Sequence, residues 1–168
     1  MSFQDASGND LVKGIGLSDR CCPVDVPEEQ AQSGSVKPDL YALDIIVPAP
    51  CRSAIAPSRF EAPGITMYKY NGSYILKFGY AHFESECPDI EMITFKLKCP
   101  YVFGDDAVHE FVTYWENTNE QNGNGEYAKC NRIEFEGREI ASIIHEKKGP
   151  AGGYTSVAAI ILEDSKNQ

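Results

Sequence analysis

The chain has 168 residues and a formal net charge of −10, from 15 basic and 25 acidic side chains. Its length suits one domain or one domain with a substantial tail, and 42% hydrophobic with 24% charged residues is a globular composition. The acidic balance argues against a broad surface for DNA or RNA, which needs clustered Lys and Arg, and no run approaches the roughly 18 apolar residues of a membrane-spanning helix.

Residues 1–39 differ from the rest of the chain. They carry Asp5, Asp10, Asp19, Asp25, Glu28, Glu29 and Asp39 against only Lys13, Arg20 and Lys37, and they include Pro23, Pro27 and Pro38. The single apolar stretch is Leu11–Leu17, "LVKGIGL". Such a segment offers little side chain to offset the entropy of ordering it, and it reads as an irregular acidic N-terminal arm, free or laid across a neighbour. The opening "MSFQDASGND" has no basic stretch followed by an apolar one, so it does not read as a secretory signal. The expected location is the cytoplasm, or a particle assembled inside a cell.

From Leu40 the chain becomes strand-like. "LYALDIIV" is rich in β-branched and aromatic residues and stops at Pro48. Pro48, Pro50, Pro57 and Pro63 then remove backbone donors, which predicts a long surface connection rather than a central strand or a helix. Residues 65–83 carry the clearest local signal. "ITMYKY" and "YILKFGYAHF" flank Asn71-Gly72-Ser73, where Asn and Gly accept positive φ, so a β-hairpin is predicted. In the second strand Tyr74, Leu76, Phe78, Tyr80 and His82 share one face while Ile75, Lys77, Gly79, Ala81 and Phe83 share the other; neither face is cleanly polar, which suits a central strand or one that presents an aromatic surface.

In "IEMITFKLKC", Ile93, Phe95, Leu97 and Cys99 alternate with Thr94, Lys96 and Lys98, the pattern of a strand with one face on a core. "AVHEFVTYWE" carries a helical stripe at Val108, Phe111, Val112 and Trp115, but its residues are better strand formers, and strand is favoured. "ENTNEQNGNGE" contains no apolar residue and reads as a loop. "YAKCNRIEF" and "REIASIIHE" are strands separated by Glu136-Gly137, and "YTSVAAIILED" is a last strand whose small residues permit close packing. The expected fold is all-β: an antiparallel sandwich of about 7–8 strands over residues 40–162, jelly-roll-like or a distorted barrel, with a frayed tail at 163–168.

Six cysteines are present, Cys21, Cys22, Cys51, Cys87, Cys99 and Cys130. Cys51, Cys87, Cys99 and Cys130 read as buried thiols or as disulfide partners, and no pair has the short spacing of a zinc site. His82, His109 and His145 read as structural or surface residues. HExxH, Gly-x-Ser-x-Gly and phosphate-loop motifs are absent, and "GPAGG" from Gly149 lacks the Lys and hydroxyl such a loop needs. Two oxygen-rich groups raise a weak calcium expectation: Asp105, Asp106 and Glu110, and Asn117, Asn119, Gln121 and Glu126; neither follows the EF-hand pattern. No other cofactor is implied.

These residues support a non-catalytic structural or interaction module that assembles with protein subunits, homo-oligomeric or otherwise, through its arm and a sheet surface. The alternative is a carbohydrate-binding sandwich in which Tyr114, Trp115, Asn117 and Asn119 form a stacking and hydrogen-bonding platform for a glycan. A third reading, a hydrolase, requires a carboxylate pair such as Asp89 with Glu91 or Glu134 with Glu136 to share a cleft. Neither nucleic acid nor membrane is an expected partner.

Overall fold

A computed structural model describes residues 1–18, 33–46, 64–78, 92–122, 125–140, 143–147 and 154–162, with the backbone alone described at 117–122, 125–128, 143–147 and 154–156. The elements run β1 (Ser2–Asp5), β2 (Ser33–Ser35), β3 (Ala42–Ile46), β4 (Ile65–Tyr70), β5 (Ser73–Phe78), β6 (Met92–Lys98), the one-turn helix α1 (Pro100–Phe103), β7 (His109–Asn122), β8 (Gly125–Phe135), β9 (Arg138–Glu139), β10 (Ile143–Lys147) and β11 (Tyr154–Leu162). Two sheets form, in the orders β10-β11-β1-β5-β4-β2 and β3-β6-β7-β8-β9. Every pairing is antiparallel except that of β1 with β11, which is parallel. The all-β expectation holds. The strand count rises above 7–8, partly because β1, β2 and β9 are too short to advertise themselves by periodicity.

The sheets pack face to face through aromatic rings. Phe3 from β1 meets Phe111 from β7 edge-on at 6.0 Å, and Phe103 of α1 at 5.6 Å. Phe78 from β5 lies 5.9 Å from Phe95 of β6 and 6.1 Å from Phe111. Around these rings Ile65, Met67, Leu76, Ile93, Leu97 and Ile160 complete a buried core drawn from both sheets. Each such side chain contributes roughly 1.5–3 kcal/mol before entropy is charged against it. In β6 the alternation read from sequence is the alternation of burial: Ile93, Phe95, Leu97 and Cys99 are buried, while Thr94, Lys96 and Lys98 face outward.

The reading of residues 1–39 as an irregular arm is corrected. Strand β1 lies inside the larger sheet, between β11 and β5, and Phe3 is completely buried. Val12, Ile15, Leu17 and Val36 join the same core, so the boundary expected at residue 40 does not separate core from tail. The physical reason is hydrogen bonding by side-chain carboxylates, which lets an irregular backbone enter a core. Asp5 accepts from the amides of Ser7 and Asn9, at 2.9 and 2.8 Å, and from the Asn9 side chain at 2.7 Å. Asp10 accepts from Val12 and Lys13, at 2.9 and 3.2 Å, and reaches across to the Tyr74 amide of β5 at 2.7 Å. Four apolar anchors suffice once these donors are satisfied. Gly14 completes the turn at φ +83°, where a Cβ would stand 3.0 Å from the Tyr101 hydroxyl oxygen. That hydroxyl donates to the Lys13 carbonyl at 2.7 Å.

The predicted hairpin turn at Asn71-Gly72 is present, and a second tight turn falls at Glu136-Gly137, between the strands expected on either side. Asn71 and Gly72 take φ of 47° and 88° between β4 and β5, and Glu136 and Gly137 take 49° and 72° between β8 and β9. Right-twisted strands joined by two residues require such backbone, and Asn and Gly supply it cheaply. Strand, not helix, is the state of His109–Glu116. The polar stretch expected to be a loop is corrected as well. Strand β7 continues to Asn122 and β8 begins at Gly125, with Asn122 paired to Gly125, so only two residues separate the ladders. Backbone pairing needs no apolar side chain, and composition alone therefore misplaced this element. "REIASIIHE" divides between sheets: Arg138–Glu139 pairs with β8, whereas Ile143–Lys147 pairs with β11. Most of the proline-rich connection, residues 47–63, and the tail 163–168 lie outside the described residues.

Candidate functional site

Four sheet edges are described, and they are built differently. Strands β2 and β9 are three and two residues long, and β9 is wholly charged. Strand β10 ends in His145, Glu146 and Lys147. Short length and charge are the usual protections against an added strand. Strand β3 carries a single charge, Asp44. It presents five residues, Ala-Leu-Asp-Ile-Ile, without Pro, Lys or Gly, and among the described residues it pairs only with β6. Leu43 and Ile45 turn inward against the core, leaving Ala42, Asp44 and Ile46 exposed. Ile46 is 43% accessible and Met92, at the start of β6, is 39% accessible.

The outer face next to this edge is laid out in cross-strand columns. Asp44 sits opposite Lys96, and Lys96 opposite Glu110, with Lys96 Nζ 3.7 Å from the Glu110 carboxylate. Lys98 pairs with Asp106 at 3.0 Å. Beside this self-neutralised ladder runs a less polar column: Ile46, Thr94 and Val112 in register, with Met92 opposite Tyr114 in the next outward-facing row. An unprotected edge and exposed aliphatic side chains thus meet at one margin of the smaller sheet.

Tyr114 and Trp115 of the glycan platform point to opposite faces of β7. Tyr114 lies on the outer face, where the Arg132 guanidinium carbon stands 3.7 Å from its ring centroid. Trp115 projects to the inner face, packs against the core, and donates its indole N–H to Thr113 Oγ1 at 2.8 Å. Thr113 in turn donates to the Ile93 carbonyl at 3.0 Å. Strand pleating puts consecutive residues on opposite faces, so Tyr114 and Trp115 cannot line one surface here. A register shift beside them, with Tyr114 opposite Arg132 and Trp115 opposite Cys130, lets Cys130 point inward. Asn117 and Asn119 lie farther along β7, in the part where only backbone is described.

Cys99 and Cys130 are free, buried thiols, which overturns a disulfide for either. Burial raises both thiols, Cys130 to about 11, so neither is poised as a thiolate. Cys21, Cys22, Cys51 and Cys87 lie outside the described residues, as do His82, Asp89, Glu91 and the "GPAGG" run. The first calcium group is dispersed by its own cations: Asp106 pairs with Lys98, Glu110 with Lys96, and Asp105 with His109. Among the described residues no group of three or more His, Cys, Asp or Glu side chains is placed to hold a metal. Gln121 and Glu126, of the second group, fall with Asn117 and Asn119 where only backbone is described. Glu134 and Glu136 do not share a strand face. Glu134 sits on β8 beside Arg132 at 3.5 Å, while Glu136 occupies the β8–β9 turn with positive φ. Among the described residues, no helix is long and apolar enough to cross a membrane.

Sequence reasoning missed one constellation, the environment of His109. Its Nε2 lies 3.0 Å from Asp105 Oδ1 and its Nδ1 lies 3.4 Å from Glu136 Oε1. The ring stacks on Phe103 with centroids 3.9 Å apart. The helical spacing of Asp105 and His109 was available in the sequence, but the approach of Glu136, 27 residues on, was not. Comparison of the chain with protein-family models, with curated proteins and with solved structures returns no match.

Proposed function

We propose that the protein is a non-catalytic interaction module that assembles with a protein partner, in the first instance a second copy of itself, by strand addition to β3. The observation carrying this reading is the contrast between β3, which has one charge and no second partner strand among the described residues, and the shorter or more charged edges elsewhere. Backbone groups along a free edge supply hydrogen bonds to an added strand, and alternate side chains beside it supply selectivity. Ile46 and Met92 are the apolar contacts this surface offers, and Asp44 favours a partner strand with Lys or Arg opposite it. The assembly role moves from the N-terminal segment to the sheet, since β1 belongs to the core.

Light scattering of the purified chain over a wide concentration range tests this directly. Association that grows with concentration and is lost in Ile46→Lys, with the circular dichroism spectrum unchanged, is the expected outcome. A chain that stays monomeric at every concentration, and behaves identically with the substitution, overturns self-assembly through β3. The carbohydrate reading keeps Tyr114 on the outer face, with Arg132 already over its ring, and loses Trp115 to the inner face, so it is the weaker of the two.

A further inference from the structure

We propose that His109 is a pH-operated staple, clamping the loop after α1 to the β8–β9 turn when its ring is doubly protonated and releasing the turn when it is neutral. Three elements meet at this side chain. Asp105 comes from the loop after α1, Glu136 from the turn between β8 and β9, and His109 opens β7. Each ring nitrogen faces a carboxylate oxygen, at 3.0 Å to Asp105 and 3.4 Å to Glu136. Carboxylates accept and do not donate, so the Nε2–Asp105 hydrogen bond needs a proton on Nε2, and the Nδ1–Glu136 contact is an ion pair only when the ring is charged. A neutral imidazole has one N–H. Whichever tautomer forms, one nitrogen lone pair then points at a negatively charged oxygen.

Aromatic rings enclose the imidazole. The ring is stacked on Phe103 at 3.9 Å and lies 5.9 Å from Phe135, and an aromatic face attracts a cation through its quadrupole. Asp105 and Glu136 are the charged groups that face the ring among the described residues. Glu110, adjacent on β7, directs its carboxylate to Lys96, and Asp106 directs its own to Lys98. The His109 side chain is only 17% accessible, so solvent does not replace these contacts freely. The Asp105 carboxyl is held below the usual carboxylate range, first by its hydrogen bond with His109 and then by the Ala107 amide.

The release has a direction. Asp105 Oδ1 is the nearer acceptor, 3.0 Å from Nε2, and it also receives the Ala107 N–H at 3.0 Å. Glu136 Oε1 is the farther one, and it separately receives the Glu110 N–H at 2.9 Å. When Nδ1 loses its proton, its lone pair repels the Glu136 carboxylate, which is the turn's side-chain tie to β7 beside its backbone bond. The turn is poised to respond, since Glu136 holds φ of 49° and donates its own amide to the Glu110 carbonyl at 3.1 Å. Histidine is the one ordinary side chain that changes charge between pH 5 and 8.

Amide hydrogen exchange and amide chemical shifts, monitored by NMR from pH 5 to pH 8, test the staple. Protection at Glu110 and Glu136, corrected for the intrinsic pH dependence of exchange, is expected to fall about tenfold across the range, the effect of losing one hydrogen bond to a charged group. Both amide resonances should shift in the same transition. His109→Phe, which retains a ring against Phe103 and cannot titrate, should abolish that transition, and His109→Gln should do the same if the Phe variant loses the native spectrum. An unchanged transition in the folded variant, or wild-type protection that is level across the range, overturns the proposal.

Discussion

Strand β6 and the first 18 residues deliver completely buried side chains to the same core, yet they hold their backbones there in different ways. Strand β6 is paired on both sides, by β3 and β7, so its amides are satisfied by the ladder and every second side chain can be apolar. The N-terminal stretch has only four residues of strand. Beyond Asp5 its amides are met largely by two carboxylates and a few backbone contacts, and its apolar residues are spaced irregularly at Leu11, Val12, Ile15 and Leu17. A short, polar, Gly-containing segment can therefore be structural when acidic side chains act as hydrogen-bond hubs. Acidic content by itself does not mark a tail.

The largest test of this equivalence is Phe3→Ala. The side chain is fully buried and touches Phe103 and Phe111, so the substitution should cost about 3–5 kcal/mol in urea or guanidinium unfolding, as much as a comparable truncation in the middle of a sheet. A cost near zero would return this segment to the status of an arm. Asp10→Ala comes next. It strips acceptors from the Val12, Lys13 and Tyr74 amides, and a loss of about 2 kcal/mol is expected in the same experiment. Strand β6 has no residue of this kind.

Asp5 provides the smallest and most specific test. Hydrogen bonds from the Asn9 side chain and backbone hold its carboxyl below the usual aspartate range. The unfolded chain therefore takes up the proton first as the pH falls. The stability it contributes is present above the ordinary aspartate range, and it is lost as pH falls through the lower value of the folded state. Acid unfolding monitored by Trp115 fluorescence should be less steep in this range for Asp5→Asn than for the parent chain. Equal slopes would mean that the Asp5–Asn9 turn is not held in solution.

The same contrast explains which features are legible in the sequence. Local regularity is readable: the alternation of β6, the positive-φ turns at Asn71-Gly72 and Glu136-Gly137, and the extended state of His109–Glu116 all follow from residue type and spacing. Part of the candidate surface is readable too, since "LYALDIIV" announces a strand. That β3 would be an edge is not, because edge or centre depends on which strands arrive from elsewhere in the chain. The parting of Tyr114 and Trp115 has a related reason. Adjacent aromatics attract notice in a sequence, but a pleated strand sends Tyr114 and Trp115 to opposite faces.

Residue type and spacing suffice for an all-β chain, its hairpin turns and the inward face of β6, because such features depend on interactions within a few residues. The assembled fold was needed to place Phe3 between the sheets, to run β1 beside β11 across more than 150 residues of sequence, and to close Glu136 on His109. Those outcomes depend on long-range pairing, whose free energy comes from burying surfaces that are not adjacent in the chain, and no local pattern encodes which surfaces meet.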